Sequence, residues 1–434
     1  MATTTAPASE ATGGNGRRSY VKTNKRVLSR RGVLWLGQTC NLRCYFCYFL
    51  NRIDDASHPE HPFMTLEKAK EICHTLRYFY GDTAIDIQGG EPTIHPDILE
   101  LISYCDEIGL YPTLITNGLV LAKKDKLQQF KDAGVRDFLV SLHGIGDIHD
   151  EVVCRKGSYE KIIAAIENMV ELDVPFRFNC TMSKPVVPLL PQIAQKAIDY
   201  GANAVNFIAF NPFEDQETGI RTHDNVASYS DIKAPLGEAM DILEDAGIEC
   251  NVRYLPLCMA EERHRKNFYN FQQLPYDHHE WNYASWMWTG MQPQRMKGSK
   301  LNTPYKLGRM ARRFYVSNAH VLIEKEEERP LKAKLKYTGQ RLAATIGAVA
   351  RGKDYWYRRE AKLRAKMDLH YVHHDKCEQC SLRNICDGFH GDYANFSGTD
   401  EADPITGIPV ADDPLYYIGK QDKIVEEEDK AWAL

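Results

Sequence analysis

Between residue 32 and about residue 256 the chain alternates strand-like and helix-like stretches six times, and few folds accept such a series. Gly32–Gly37 (GVLWLG) reads as a buried strand. Met64–Tyr80 has helical apolar spacing, opened by Thr65 with Glu67 close behind. The pattern repeats as Thr83–Gln88 with Pro96–Ile108, Pro112–Thr116 with Ala122–Ala133, and Arg136–His143 with Ser158–Leu172. Phe176–Met182 with Leu189–Tyr200 and Ala204–Phe210 with Ser230–Ala246 complete the series. Such alternation predicts an α/β fold, a parallel sheet with helices outside. Right-handed crossovers would curl that sheet toward an open barrel. On pattern alone, a flat doubly wound sheet fits equally well.

Length and composition bound what surrounds this unit. A chain of 434 residues, 43% hydrophobic, can bury one large domain and an accessory one. The net charge of −5 argues against general nucleic-acid affinity. Met1–Gly16 is rich in Ala, Thr and Gly without an apolar centre, so no secretory signal is read there, and 1–27 is expected to be a disordered tail. No apolar run reaches about 18 residues, so no membrane span is expected. Twelve cysteines without a signal point to a reducing cytoplasm, where clusters account for cysteine better than disulfides do. Cys73, Cys105, Cys154, Cys180 and Cys250 lie in apolar segments and are expected to pack as small hydrophobes.

Cys40, Cys44 and Cys47, in C-N-L-R-C-Y-F-C, do not suit that role. A [4Fe–4S] cube normally takes four cysteinates. Three thiols this close can each hold one iron, and the next cysteine is Cys73, so one iron stays open. An open iron makes a reaction centre rather than an electron wire. Three buried thiols, or a zinc knuckle short of a ligand, are the alternatives. Tyr45, Phe46, Tyr48 and Phe49 interleave the thiols and give a dry pocket that favours the cluster. The pattern resembles the C-x3-C-x-aromatic-C loop of the radical S-adenosylmethionine (SAM) enzymes, with Phe46 in the aromatic slot. The resemblance implies a partial (β/α)6 barrel and an open iron chelated by the amino and carboxylate groups of SAM.

In parallel α/β folds chemistry collects at the C-terminal ends of strands, and each further motif falls at such an end. Gly89-Gly90-Glu91-Pro92-Thr93, 42 residues beyond Cys47, resembles the family's G-G-E-P segment, which hydrogen-bonds the SAM amino group. The paired glycines would let backbone approach a ligand, although a Gly-Pro turn has the same composition. Thr116-Asn117-Gly118 resembles the family's T-N-G turn, and Ser141-Leu142-His143-Gly144 its S-x-H-G variant. Ser141 and Arg155 match positions that bind the SAM carboxylate in related maturases, and a guanidinium fork suits a carboxylate. Arg155 also reads as a solvated cation at a helix start. His143 can touch SAM or substrate, or be structural. Asn179 and Thr181 are polar in an apolar run and so are placed in the lumen, and 206–211 is placed near adenine.

A second metal signal is Cys377-x2-Cys380-x5-Cys386. It resembles the core of the SPASM and Twitch extensions, which hold auxiliary iron–sulfur clusters behind many radical SAM barrels. The full SPASM motif has a cysteine where this chain has His390. Cys258, after a strand that closes the barrel segment, is the one well-placed upstream candidate. With Cys377, Cys380 and Cys386 it completes the ligands of one auxiliary [4Fe–4S] cluster. His390 and Cys250 are alternative ligands, and tetrahedral zinc is the competing occupant. The expected organisation is therefore tail 1–27, barrel 28–256, auxiliary-cluster domain 257–395 with a basic insertion, and tail 396–434.

The region between Cys258 and Cys377 matches nothing placed. Asn267–Trp288 is aromatic-rich and could wall a substrate. The stretch 331–366 carries eleven Lys/Arg and reads either as a peripheral membrane contact or as a solvated helix. By family resemblance, an electron from a ferredoxin or flavodoxin would cleave SAM to a 5′-deoxyadenosyl radical, which takes hydrogen from a C–H bond. The substrate expected is a small molecule, sugar or lipid. The short N-terminus and lack of a folded leader-binding unit count against a peptide maturase, the alternative, and a non-catalytic metal scaffold is the third reading.

Overall fold

The computed structural model describes residues 26–28, 31–47, 61–80, 82–211, 221–269, 371–413, 416–421 and 423–425, with isolated positions between. The basic segment 331–366, the aromatic stretch beyond Tyr269 and the N-terminal tail lie essentially outside the described residues. The central sheet has eight strands, all parallel and in sequential order. They are β1 (Arg31–Trp35), β2 (Ala84–Gln88), β3 (Tyr111–Thr116), β4 (Asp137–Ser141), β5 (Phe176–Met182), β6 (Ala204–Ala209), β7 (Glu249–Arg253) and the two-residue β8 (Phe268–Tyr269). The helices among the described residues include α1 (Leu66–His74), α2 (Ile98–Glu107), α3 (Lys124–Ala133), α4 (Asp147–Val152), α5 (Ser158–Glu171), α6 (Leu190–Tyr200), α7 (Tyr229–Asp245) and α8 (Gly391–Ser397). The result is an α/β curled half-barrel, and the sheet exceeds the six expected strands by β7 and β8.

The packing follows from residue alternation. Phe138, Val140, Phe178, Cys180, Val205, Phe207 and Val252 point outward and are fully buried under the helices. Each helix supplies one apolar stripe, as Ile162, Ala165, Ile166 and Met169 do on α5. Burying a side chain of this size contributes roughly 1.5–3 kcal/mol. The inward positions mix polar and apolar residues, and several toward the N-terminal ends of β1–β5 are polar. Arg31 Nη1 donates to Asp86 Oδ1 at 2.5 Å and Thr113 Oγ1 donates to Asp137, while Arg177 Nε donates to Asp137 Oδ2 at 2.7 Å. This network floors the lumen across β1–β5. Burial alone would raise the Asp137 carboxyl, but the guanidiniums of Arg177, Arg31 and Arg136 and the Thr113 hydroxyl outweigh it and hold the group below the usual carboxylate range.

Two local expectations are corrected. The helix expected over 64–80 is α-helical only to His74; Thr75–Tyr80 widens to π geometry, with Arg77 reaching the carbonyls of Ile108 (3.0 Å) and Asp82 (3.2 Å). Cys154 does not pack inside: it is exposed, in the turn after α4, with a left-handed φ of 56°. The apolar pair before it, Val152 and Val153, takes the buried places. Cys73, Cys105, Cys180 and Cys250 are buried as expected.

Residues 371–421 dock on α7 and β7. The Tyr229 and Tyr393 rings stack at 3.6 Å, the Tyr229 N–H donates to Tyr393 Oη at 2.9 Å, and Gln421 Nε2 donates to the Cys250 carbonyl at 3.3 Å. No helix among the described residues is long and apolar enough to cross a membrane.

Candidate metal and cofactor site

The loop carrying Cys40, Cys44 and Cys47 leaves β1 at the C-terminal rim of the sheet. Arg43 Nη1 donates to the carbonyls of Cys40 (2.7 Å) and Leu42 (2.9 Å), and the Leu42 N–H points at Cys40 Sγ at 3.4 Å. The loop is then tied to its neighbours by backbone. Gly90 N–H donates to Gly37 O at 3.0 Å and Glu91 N–H to Thr39 O at 2.9 Å. A Cβ on Gly90 would stand 2.0 Å from the Thr39 carbonyl oxygen, so only glycine allows this approach.

Glu91 is buried and fully engaged. Oε1 accepts from the Thr93 N–H (3.0 Å) and from the Thr93 (2.5 Å) and Thr116 (2.6 Å) hydroxyls; Oε2 accepts from the Asn117 N–H (2.8 Å). Its carboxylate is thus a fastener between the β2 and β3 loops. Pro92 opens a short 3-10 turn to Ile94. Asn117 extends the chain of contacts, its Nδ2 donating to Asn41 Oδ1 at 2.6 Å. Arg155 Nη1 donates to the Asn41 carbonyl at 2.9 Å, and Tyr45 N–H to Val152 O at 3.3 Å. The motifs on β2, β3 and α4 therefore converge on one loop.

Phe46 lies edge-on to His143, ring centres 4.5 Å apart, with Phe210 behind at 6.3 Å. His143 Nδ1 accepts from the Thr181 N–H at 3.0 Å, which assigns the proton to Nε2. Burial, with His149 adding to it, pushes the His143 imidazole well below its ordinary range, so it stays neutral. Ser141 ends β4 in register with Asn179 on β5, whose Oδ1 is buried without a hydrogen bond. Asn206 follows on β6 in the same register, and the stretch 206–211 reaches the cysteine loop at Phe210, whose ring stands 6.2 Å from Tyr45.

The thiols sense one another. Burial pushes the Cys40 thiol up to about 12, with Glu91 and Cys47 adding to it; burial likewise raises Cys44, with Cys47 and Cys40 behind. Neighbouring thiolates that repel are held together when a cationic iron core absorbs their charge. On that donor chemistry the residues fit a three-cysteine iron–sulfur cluster. Cys258, Cys377, Cys380 and Cys386 form a second group. Burial raises Cys258 to about 11, with contributions from Cys377 and Cys380, and raises Cys386, with a contribution from Cys258. Among the described residues no three His, Cys, Asp or Glu side chains stand close enough to grip a single metal ion. His390 caps α8, accepting from the Asp392 N–H at 3.3 Å, and its ring abuts Tyr254 and Tyr371. Cys250 faces outward into the core, raised by burial, Glu249 and Glu244, with no thiol among the groups it senses.

The fold and this loop define an α/β half-barrel with a three-thiol centre at the C-terminal rim of its strands. Residues 36–189 match the Radical SAM superfamily, and the chain carries a domain of that superfamily, whose cofactors are a [4Fe–4S] cluster and SAM. The chain is similar to a PqqA peptide cyclase of Bradyrhizobium diazoefficiens, 29% identical over 173 residues, 39% of this chain and 44% of that protein. It is similar to an AdoMet-dependent heme synthase of Methanosarcina barkeri, 29% identical over 184 residues, 42% of this chain and 51% of that one. A probable GTP 3′,8-cyclase of Methanococcus maripaludis is 30% identical over 178 residues, 40% of this chain and 57% of that one. The chain thus spans about half the length of the curated relatives it matches.

Sequence reasoning missed the polar floor of the lumen, Arg31, Asp86, Thr113, Asp137 and Arg177. A signal was present for four of them: Asp86, Thr113, Asp137 and Arg177 are charged or hydroxyl residues at inward positions of predicted strands, whereas Arg31 stands one residue before the first predicted strand.

Proposed function

We propose that this protein is a radical SAM enzyme that removes a hydrogen atom from a substrate held in the lumen of the half-barrel. The carrying observation is the convergence of Gly90, Glu91, Asn117 and Arg155 on the loop of Cys40, Cys44 and Cys47. When bound, the cluster and SAM supply one-electron cleavage of SAM and a primary carbon radical able to attack an unreactive C–H bond. Cys40, Cys44 and Cys47 would hold three irons, and the Phe46–His143 pair would keep that rim dry. The 89–92 backbone would face the SAM amino group; Ser141, Asn179 and Arg155 would face its polar ends. A neutral His143 donates through Nε2 and carries no charge to compete for the SAM carboxylate.

The division at 256/257, the ligand set Cys258, Cys377, Cys380 and Cys386 for one auxiliary cluster, and a low-potential flavodoxin or ferredoxin as donor belong to the same proposal. So does a cytoplasmic setting with the basic segment 331–366 against anionic lipid, which co-sedimentation with vesicles at low salt tests. The substrate reading is a small molecule, sugar or lipid. Peptide modification is the second reading, favoured by the similarity to a peptide cyclase. Anaerobic reconstitution with dithionite and SAM tests the core claim: 5′-deoxyadenosine forms, and a Cys44→Ala variant forms none. Zinc without iron and intact SAM would return the protein to the scaffold reading.

A further inference from the structure

We infer that the middle of the lumen is a carboxamide rung that recognises amide groups of the substrate, which selects an amide-bearing substrate over an acyl lipid. The inference rests on the function proposed above and narrows its substrate. Ser141, Asn179, Asn206 and Asn251 occupy one register level across β4–β7. Their strand neighbours Val205, Phe207, Cys250 and Val252 lie buried in the apolar core under the helices, so the rung faces the opposite side, the lumen. The rung lies above the charged floor of Asp137 and Arg177 and below the rim that carries the cysteine loop.

The rung is incompletely satisfied. Asn251 Nδ2 donates to Asn206 Oδ1 at 3.1 Å, which joins the two side chains. Asn251, 5% exposed, keeps its Oδ1 without a hydrogen bond, and so does Asn179. A buried carboxamide atom without a partner costs free energy that a folded chain avoids unless a ligand repays it. Asn179 and Asn251 flank Asn206 on either side, about 10 Å apart at two strand spacings. A ligand that spans the rung therefore needs hydrogen-bonding groups repeated over that distance, with donors for the open oxygens. Amides supply donor and acceptor together, in a peptide or in an N-acylated sugar; an acyl chain supplies neither. Asn179, assigned to SAM in the proposed function, would be shared with it, leaving the Asn206–Asn251 pair to the substrate.

The test uses the iron-loaded, full-length protein with Asn206→Leu, Asn251→Leu and the double variant. Melting is followed with three probes: a degenerate pool of N-acetylated tripeptide amides, N-acetylglucosamine, and myristate. The double variant without probe should melt no lower than the parent, and up to roughly 2–4 °C higher, because orphaned polar atoms are replaced by apolar ones. The parent should be stabilised by one of the two amide-bearing probes, and the double variant by neither; which probe acts separates peptide from sugar. A fall in melting temperature of all three variants marks the pair as structural and overturns the inference. Stabilisation by myristate alone, or by no probe, overturns it as well. Neither readout requires SAM cleavage, so a failure here is distinct from a failure of the radical SAM reading.

Discussion

The two thiol groups of this chain are built in opposite ways. Cys40, Cys44 and Cys47 come from one eight-residue loop, and neighbouring strands supply the clamps: Gly90 and Glu91 after β2, Asn117 after β3, Arg155 after α4. The second group joins Cys258, next to β7, to Cys377, Cys380 and Cys386, more than a hundred residues later. There the local structure is short turns, such as Cys380 N–H to Cys377 O at 3.1 Å, and the docking of Tyr393 on Tyr229 sets the distance. A site made of one loop on a rigid sheet is preorganised by its scaffold. A site made of distant segments is a joint, and its occupant helps to close it.

Substitutions can break that contrast. The largest effect is expected from Cys44→Ala, which should abolish 5′-deoxyadenosine formation while leaving the second group's iron in place. Cys258→Ser should do the reverse, lowering iron from about eight to about four atoms per chain. It should also lower the melting temperature more than Cys44→Ala does, since it opens a joint. Equal losses of stability in the two variants would mean that the two thiol groups are held in the same way. Gly90→Ala drives a Cβ into the Thr39 carbonyl and should cost about 3 kcal/mol by denaturant unfolding, with loss of the first site's iron.

Asp137 belongs to neither site and serves as the control. Its carboxyl is held below the ordinary range in the fold, so its contribution is present above the unfolded pKa and is lost as pH falls through the folded one. Asp137→Asn should flatten the acid limb of a stability–pH curve and cost about 3 kcal/mol at neutral pH, because buried guanidiniums lose their counter-charge. Iron content at pH 7 should not change. The smallest effect is expected from Arg155→Ala, about 1 kcal/mol, since its bond to the Asn41 carbonyl is solvent-exposed. A weaker response to SAM would add a cofactor role to that structural one.

What was legible in the sequence follows the same contrast. The strands were readable because their helix-facing positions are apolar and they alternate with amphipathic helices, and the cysteine loop was readable because its three thiols lie within eight residues. Six strands were expected where eight formed. β7 was noticed only through Cys258, and β8 is a two-residue pairing that no periodicity can announce. Glu91 was expected at the SAM amino group with its neighbours, and its four hydrogen bonds make its side chain a fastener. Cys154 was misread because an apolar context was taken for burial, whereas the turn after α4 turns it out to solvent. The Asn206–Asn251 pair was invisible because its partners lie 45 residues apart and meet only through strand register.

The most direct test of the central claim is electron paramagnetic resonance of the reduced Cys258→Ser protein, with and without SAM. That variant isolates the cluster of Cys40, Cys44 and Cys47. The account predicts a [4Fe–4S]+ signal whose g values move when SAM is added, and its disappearance when Cys44→Ala is combined with Cys258→Ser. A signal that SAM leaves unchanged, or one that survives the loss of Cys44, would contradict it.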